Sequence, residues 1–68
     1  MIGVYSLFDK DVIVYVGKSK QVEERIKNHK YDGKIFDRYE CVECLEEEMN
    51  ELEISEIRRH KPKYNIDF

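Results

Sequence analysis

The sequence predicts an α+β fold: a small three-stranded, mainly antiparallel sheet flanked by helices, in the order β-β-α-β-α. Three observations carry this prediction. Two runs rich in β-branched and aromatic residues, Ile2 to Phe8 and Val12 to Val16, are separated only by the polar turn Asp9-Lys10-Asp11. After Gly17 the apolar residues recur at helical rather than strand spacing. From about Cys44 to His60 the chain is dominated by helix formers, until Pro62 forbids continuation.

The first two runs predict a hairpin. If all of Asp9-Lys10-Asp11 forms the loop, Phe8 pairs with Val12, and counting back sets Tyr5 directly opposite Tyr15 on one face. A two-residue loop would shift the register and send the two phenols to opposite faces. The second run is apolar on both faces, which predicts a central strand. Ser19 is the expected N-cap of the next helix, with Glu23 and Glu24 near its positive end and Val22, Ile26 and His29 on its apolar stripe. Arg25 and His29, four residues apart, stack beside that stripe. The helix is expected to end near Lys30, before Tyr31-Asp32-Gly33.

Ile35 to Val42 reads as an edge strand, because Asp37, Arg38 and Glu40 interrupt its apolar pattern, with Ile35, Tyr39 and Cys41 on one face. The last helix carries Leu45, Met49, Leu52 and Ile57 as its stripe. In the polar, Pro-marked tail, Tyr64 and Ile66 are the residues expected to dock back on the core.

The chain has 68 residues, which allows one small domain, residues 1–68, near the lower size limit for a fold held by its core alone. With 41% hydrophobic and 40% charged residues, it reads as globular rather than disordered or membrane-inserted. No apolar run is long enough to span a bilayer and no leader-like segment is evident, so a cytoplasmic location is expected. The net charge of −3 is unevenly distributed: residues 1–40 carry +1, residues 41–56 carry −7 with no basic residue, and residues 57–68 carry +3. The basic segments leave room for a phosphate-bearing partner, while the total argues against strong unspecific affinity for one.

The long helix contains an anomaly. On the ridge Met49, Glu53, Ile57 a carboxylate stands between apolar residues, where it needs a partner, a metal or water. Glu56 projects close to the same stripe, and helical register alone does not choose between them. Cys41-Val42-Glu43-Cys44 has zinc-like spacing, but a structural site would need two further ligands, with His29 and His60 at irregular separations. Reduced thiols are the simpler expectation.

Taken together, Gly3-Val4-Tyr5, Tyr15-Val16-Gly17-Lys18-Ser19, Arg25 and His29, Leu52-Glu53 and Lys61-Pro62-Lys63-Tyr64-Asn65 resemble the GIY-YIG nuclease domain over nearly the whole chain. The tail is most similar to the version at the amino terminus of the bacterial nucleotide-excision-repair nuclease. Both triplets carry valine where the family most often has isoleucine, and the connection around residues 31–37 is minimal. The resemblance implies a metal-dependent endonuclease that nicks one DNA strand per active site, leaving 5′-phosphate and 3′-hydroxyl ends. It selects Glu53 over Glu56 as ligand of one Mg²⁺ or Mn²⁺ ion. Hard cations accept a single protein carboxylate and retain most of their water.

The resemblance further implies that Tyr5 is the general base and that Tyr15 positions the water or hydrogen-bonds to Tyr5 and the phosphate. A phenol with a pKa near 10 is a poor base at neutral pH unless cations favour the phenolate, and Lys18, Arg25 and the metal are the candidates to do so. Arg25 would grip phosphate oxygens, His29 would assist proton transfer or bind phosphate, and Asn65 would help arrange the site. Tyr5, Tyr15, Arg25 and Glu53 are expected to converge on one concave, solvent-reachable surface. Lys18, Lys20, Arg25, Lys27, Lys30 and Lys63 would line the path of the DNA, with Arg58, Arg59 and Lys61 beyond the acidic helix. The expected partners are DNA and either a targeting protein or a second copy of the chain. The alternative reading is a module on the same fold that binds nucleic acid or protein without cutting.

Overall fold

The hairpin register rests on a turn of two residues, not three. In the computed structural model, which describes residues 1–65, Lys10 and Asp11 both lie in the left-handed region, at φ 52° and 66°. Two successive residues of that kind suit a tight hairpin turn, whose twist matches that of its strands. Asp9 therefore pairs with Val12 and Phe8 with Ile13. The register then shifts, so that Leu7 pairs with Tyr15 and Tyr5 with Gly17. Val14, the residue left over, forms a β-bulge. The expected Tyr5–Tyr15 pairing is thus corrected, but the expected shared face survives. The short turn displaces the register by one residue, and the bulge restores the alternation that this would have reversed. The two tyrosines are diagonal neighbours, with ring centroids 6.1 Å apart.

The chain forms β1 (Gly3–Asp9), β2 (Val12–Ser19), α1 (Val22–Tyr31), β3 (Arg38–Glu43) and α2 (Met49–His60), the predicted α+β order. A 3-10 turn at Glu46–Glu48 precedes α2, so the long helix starts later than its composition suggests. The Glu48 carboxylate receives the Leu45 amide at 3.0 Å, which favours the tight turn before the helix proper. α1 also starts late. Ser19 accepts the Gln21 amide at 2.9 Å within a bend instead of capping the helix, which has no side-chain cap.

The sheet is antiparallel throughout, with order β2-β1-β3, so the central strand is β1 and not β2. Why β2 is nevertheless apolar on both faces follows from its covered outer edge. The Tyr64 amide donates to the Val14 carbonyl at 2.9 Å, and the Asn65 side chain clasps Val16, accepting from its N–H at 2.7 Å and donating to its carbonyl at 2.9 Å. The tail thereby stands in for a fourth strand on an edge that would otherwise expose backbone groups. β3 is the edge strand that was expected, though it begins at Arg38, after the Asp37 amide has bonded the Phe8 carbonyl at 2.8 Å. Tyr39 and Cys41 share its inner face, opposite Leu7 and Tyr5, while Ile35 precedes the strand.

The core lies between the sheet and α1. Tyr5, Leu7, Val14, Val22 and Ile26 are buried together, with Tyr15, Phe36, Cys41 and Tyr64 packed around them. Tyr64 docks as expected; Ile66 lies outside the described residues. Val4 and Val16, turned by alternation to the other face, are buried too, and α2 packs against β2 and β1 with Met49 as its buried residue. No helix among the described residues is long and apolar enough to cross a membrane.

Candidate active site

Gly17 is the hinge of the site. It pairs with Tyr5 across the hairpin, and a methyl group there would stand 2.6 Å from both Cζ and Oη of Tyr5 and 2.8 Å from the Tyr15 ring. Only glycine lets the first phenol lie across the second strand.

On this face four predicted residues gather. The Tyr5 hydroxyl is 2.7 Å from Nε2 of His29. The imidazole also packs on Tyr15, with ring centroids 4.7 Å apart. The Arg25 guanidinium approaches the same phenol, whose proximity holds Arg25 even more firmly in its charged form. Tyr5 is nevertheless pushed up to about 12, because burial and the neighbouring Tyr15 outweigh the pull of Arg25. His29 is shifted the other way, below the ordinary histidine value, first by burial and then by the charges of Lys34 and Arg25. The stable arrangement at neutral pH is therefore a phenol donating to the Nε2 lone pair of a neutral imidazole, whose proton then sits on Nδ1. Among the described residues that Nδ1 is buried without a hydrogen-bond partner.

One expectation fails here. Tyr5 has no exposed surface, and His29 is only 5% exposed, so neither belongs to a solvent-reachable wall. Tyr15 is half-buried and Arg25 exposed; these two form the outward side of the cluster. Arg25 also lines a cavity of about 340 Å³ together with Ser19, Lys20, Gln21, Glu24 and Asn28.

The second group starts at the next residue. Lys18 pairs across from Val4, so its side chain leaves the sheet on the opposite side from Gly17 and meets α2. Its ammonium donates to Asn50 Oδ1 and stands 4.0 Å from a carboxylate oxygen of Glu53. Asn50 and Glu53 are three apart on α2 and so face the same way. Asn50 was not anticipated; its place one turn before Glu53 is the only signal in the sequence that could have found it. The two candidate carboxylates have different neighbours. Glu56 is occupied within its own helix, 3.6 Å from Arg59 and 3.7 Å from His60, whereas Glu53 turns to Lys18 with its side chain 21% exposed. A part-exposed carboxylate outside direct hydrogen-bond contact with its cationic neighbour keeps lone pairs for a hard divalent cation that brings its own water. Glu53 thus joins the phenol–imidazole group through Gly17-Lys18 at the end of β2, rather than by lying among the aromatics.

The outlying basic residues are more scattered than expected. Lys20 is paired to Glu46 at 2.7 Å, Lys27 and Lys30 flank Tyr31 further along α1, and Lys63 lies over the Tyr64 ring. Asn65 touches the site through the backbone of Val16, not through a reacting group. Cys41 and Cys44 are free, and burial pushes the Cys41 thiol up, away from the thiolate a metal would need. Among the described residues no three His, Cys, Asp or Glu side chains cluster as a metal cage.

The fold and sequence of this chain have counterparts among known proteins. Residues 1–66 match the family described as the UvrC-like GIY-YIG domain. The chain is 32% identical over 96% of its length to UvrABC system protein C of Methylococcus capsulatus, and 34% identical over 96% to that of Treponema denticola. It spans only 13% and 12% of those two proteins. A crystal structure of the GIY-YIG N-terminal endonuclease domain of UvrC from Thermotoga maritima, bound to its catalytic magnesium, superposes with a TM-score of 0.81 at 30% identity. That match covers 96% of this chain and 83% of the other. A point mutant of the same domain, bound to its catalytic divalent cation, gives 0.82 at 28% identity, covering 97% and 83%. The chain belongs to the UvrC-like GIY-YIG domain family.

Proposed function

We propose that this domain is a metal-dependent endonuclease that hydrolyses phosphodiester bonds in DNA, nicking one strand per active site and leaving a 5′-phosphate and a 3′-hydroxyl. The observation that carries the reading is the junction at Gly17-Lys18. Through two adjacent residues of β2 it joins the buried phenol–imidazole pair on one face of the sheet to a lysine that meets a part-exposed carboxylate on the other.

The chemistry follows from the residues. Arg25 is exposed, permanently charged and planar, suited to two oxygens of the scissile phosphate, and the adjoining cavity gives the backbone room. The half-buried Tyr15 is the outward phenol that water can reach. Behind it, Tyr5 gives its proton to His29 Nε2 as it takes one from the water side, so the imidazole is the terminal acceptor and the Tyr5 phenol the link. This differs from the simple expectation of a Tyr5 phenolate, which burial disfavours. Lys18, on the α2 side of the sheet, sets a positive charge beside Glu53, where it would act together with the metal on charge growing at phosphorus. Mg²⁺ or Mn²⁺, held by Glu53 and water, would supply charge neutralisation and support for the departing 3′ oxygen. Asn65 keeps β2, and with it Tyr15 and Gly17, in place.

Double-strand cleavage then requires two sequential visits or a second copy of the chain. The test is incubation of purified protein with supercoiled plasmid and Mg²⁺ or Mn²⁺. Relaxed circles that DNA ligase reseals without other treatment are expected, since ligase needs the proposed end groups. Intact plasmid under all metal conditions would favour a module that binds without cutting.

A further inference from the structure

The Lys18–Asn50–Glu53 triangle has a feature that the proposed reaction does not itself require. Lys18 is bonded to a neutral amide while a carboxylate stands 4.0 Å away, just beyond hydrogen-bond reach. An ammonium with a free choice would be expected to close on the charged oxygen. Asn50 is exposed, carries no charge, and lies one helical turn before Glu53 on the face that meets Lys18. We infer that Asn50 is a positioning residue that tethers Lys18 away from Glu53 and so keeps the carboxylate available to the divalent cation. The inference rests on the metal-dependent reading proposed above.

The physical logic is competition for the carboxylate. A lysine in direct contact with Glu53 would cover one carboxylate oxygen and oppose a second cation by like-charge repulsion. Removing Lys18 altogether would free the ligand but discard a cation suited to the phosphate. Tethering it to Asn50 keeps both, with the ammonium beside the metal ligand and not upon it.

The test measures metal binding rather than cutting, by electron paramagnetic resonance of free Mn²⁺ titrated with protein. Asn50→Ala is expected to weaken Mn²⁺ binding roughly two- to fivefold, the range that a part-exposed ion pair would impose as a competitor. In a Lys18→Met background the same substitution should change nothing, because the competitor is gone. Since Asn50 is exposed, both proteins should melt within a few degrees of their parents, which a melting curve checks. If Asn50→Ala leaves Mn²⁺ affinity unchanged while Glu53→Gln abolishes binding, the tether is wrong and the metal site stands. An equal effect of Asn50→Ala with and without Lys18 would also overturn it, since Asn50 would then act on its own. If Glu53→Gln binds Mn²⁺ as well as the wild type, the metal site itself is misplaced.

Discussion

The hydroxyl of Tyr5 lies 2.7 Å from Nε2 of His29, and both groups are shut away from solvent. Twenty-four residues separate them in the chain, and burial acts on them in opposite directions. It holds the phenol protonated and the imidazole neutral, which is the protonation state in which one donates to the other.

Removing only that hydroxyl tests the link. Tyr5→Phe keeps the ring in the core but leaves His29 without its partner, so nicking under single-turnover conditions is expected to fall by about a hundredfold, a typical contribution from a positioned proton-transfer group. Circular dichroism should report a native fold. Undiminished cutting would place the proton path elsewhere.

The pH dependence follows from the same pair. A neutral His29 accepts from Tyr5; a protonated one does not. Because its folded value is depressed, activity should persist as pH falls past the ordinary histidine value of about 6.5 and be lost only below it. Stability behaves differently. The unfolded chain begins to bind the proton near that ordinary value, so unfolding free energy declines as pH falls from there toward the depressed folded value, and the loss is complete below it. Denaturant titrations at a series of pH values should show this decline in the wild type and less of it in His29→Phe.

Gly17→Ala should damage the site more than the fold. The added methyl would meet the Tyr5 hydroxyl and the Tyr15 ring at 2.6 to 2.8 Å, so both side chains must shift. Overpacking of this kind costs about 1–3 kcal/mol. The expected result is a folded protein with a lowered melting temperature and almost no nicking. Full activity would mean that the positions of the two phenols are not critical.

Asn65→Ala removes both bonds to Val16 and reopens the outer edge of β2. With each net hydrogen bond worth about 1 kcal/mol, the substitution should cost about 2 kcal/mol in a denaturant titration. Asn65→Asp retains an acceptor for the Val16 amide but loses the donor and sets a charge against the Val16 carbonyl, so it should not rescue stability.

The register error shows what the sequence concealed. Both strands were legible from their residue types, as were the two helices, the edge character of β3 and the return of Tyr64 to the core. The Lys10-Asp11 turn was not, because neither residue is the glycine that usually announces a left-handed turn. A bulge at Val14 leaves no mark in a run that is apolar throughout. The two omissions compensate, which is why Tyr5 and Tyr15 were placed on one face for a reason that proved incorrect. The site was legible where it depends on residue type: an arginine for phosphate, a carboxylate for metal. Burial was not legible. Nothing in the triplets indicates that Tyr5 is fully enclosed or that His29 accepts from it, since both depend on how α1 closes over the hairpin. The central position of β1 was missed because the covering of β2 comes from a tail nearly fifty residues away, at Asn65.

The turn gives a prediction independent of chemistry. Replacing Lys10-Asp11 by Asn-Gly relieves two left-handed residues and should raise stability by about 1 kcal/mol, or roughly 4–8 °C in melting temperature for a domain of this size. A fall would contradict the two-residue turn.

The central claim is that Glu53 holds the cation on which cutting depends. Supercoiled plasmid is incubated with Mg²⁺ and either the wild-type chain or Glu53→Gln, which preserves size and removes the charge, and relaxed circles are quantified over time. Nicking by the wild type, its loss on adding chelator, and loss of at least about a hundredfold in Glu53→Gln, as expected when the ligand of a catalytic metal is removed, are the predicted results. Equal nicking by the two proteins would contradict the account.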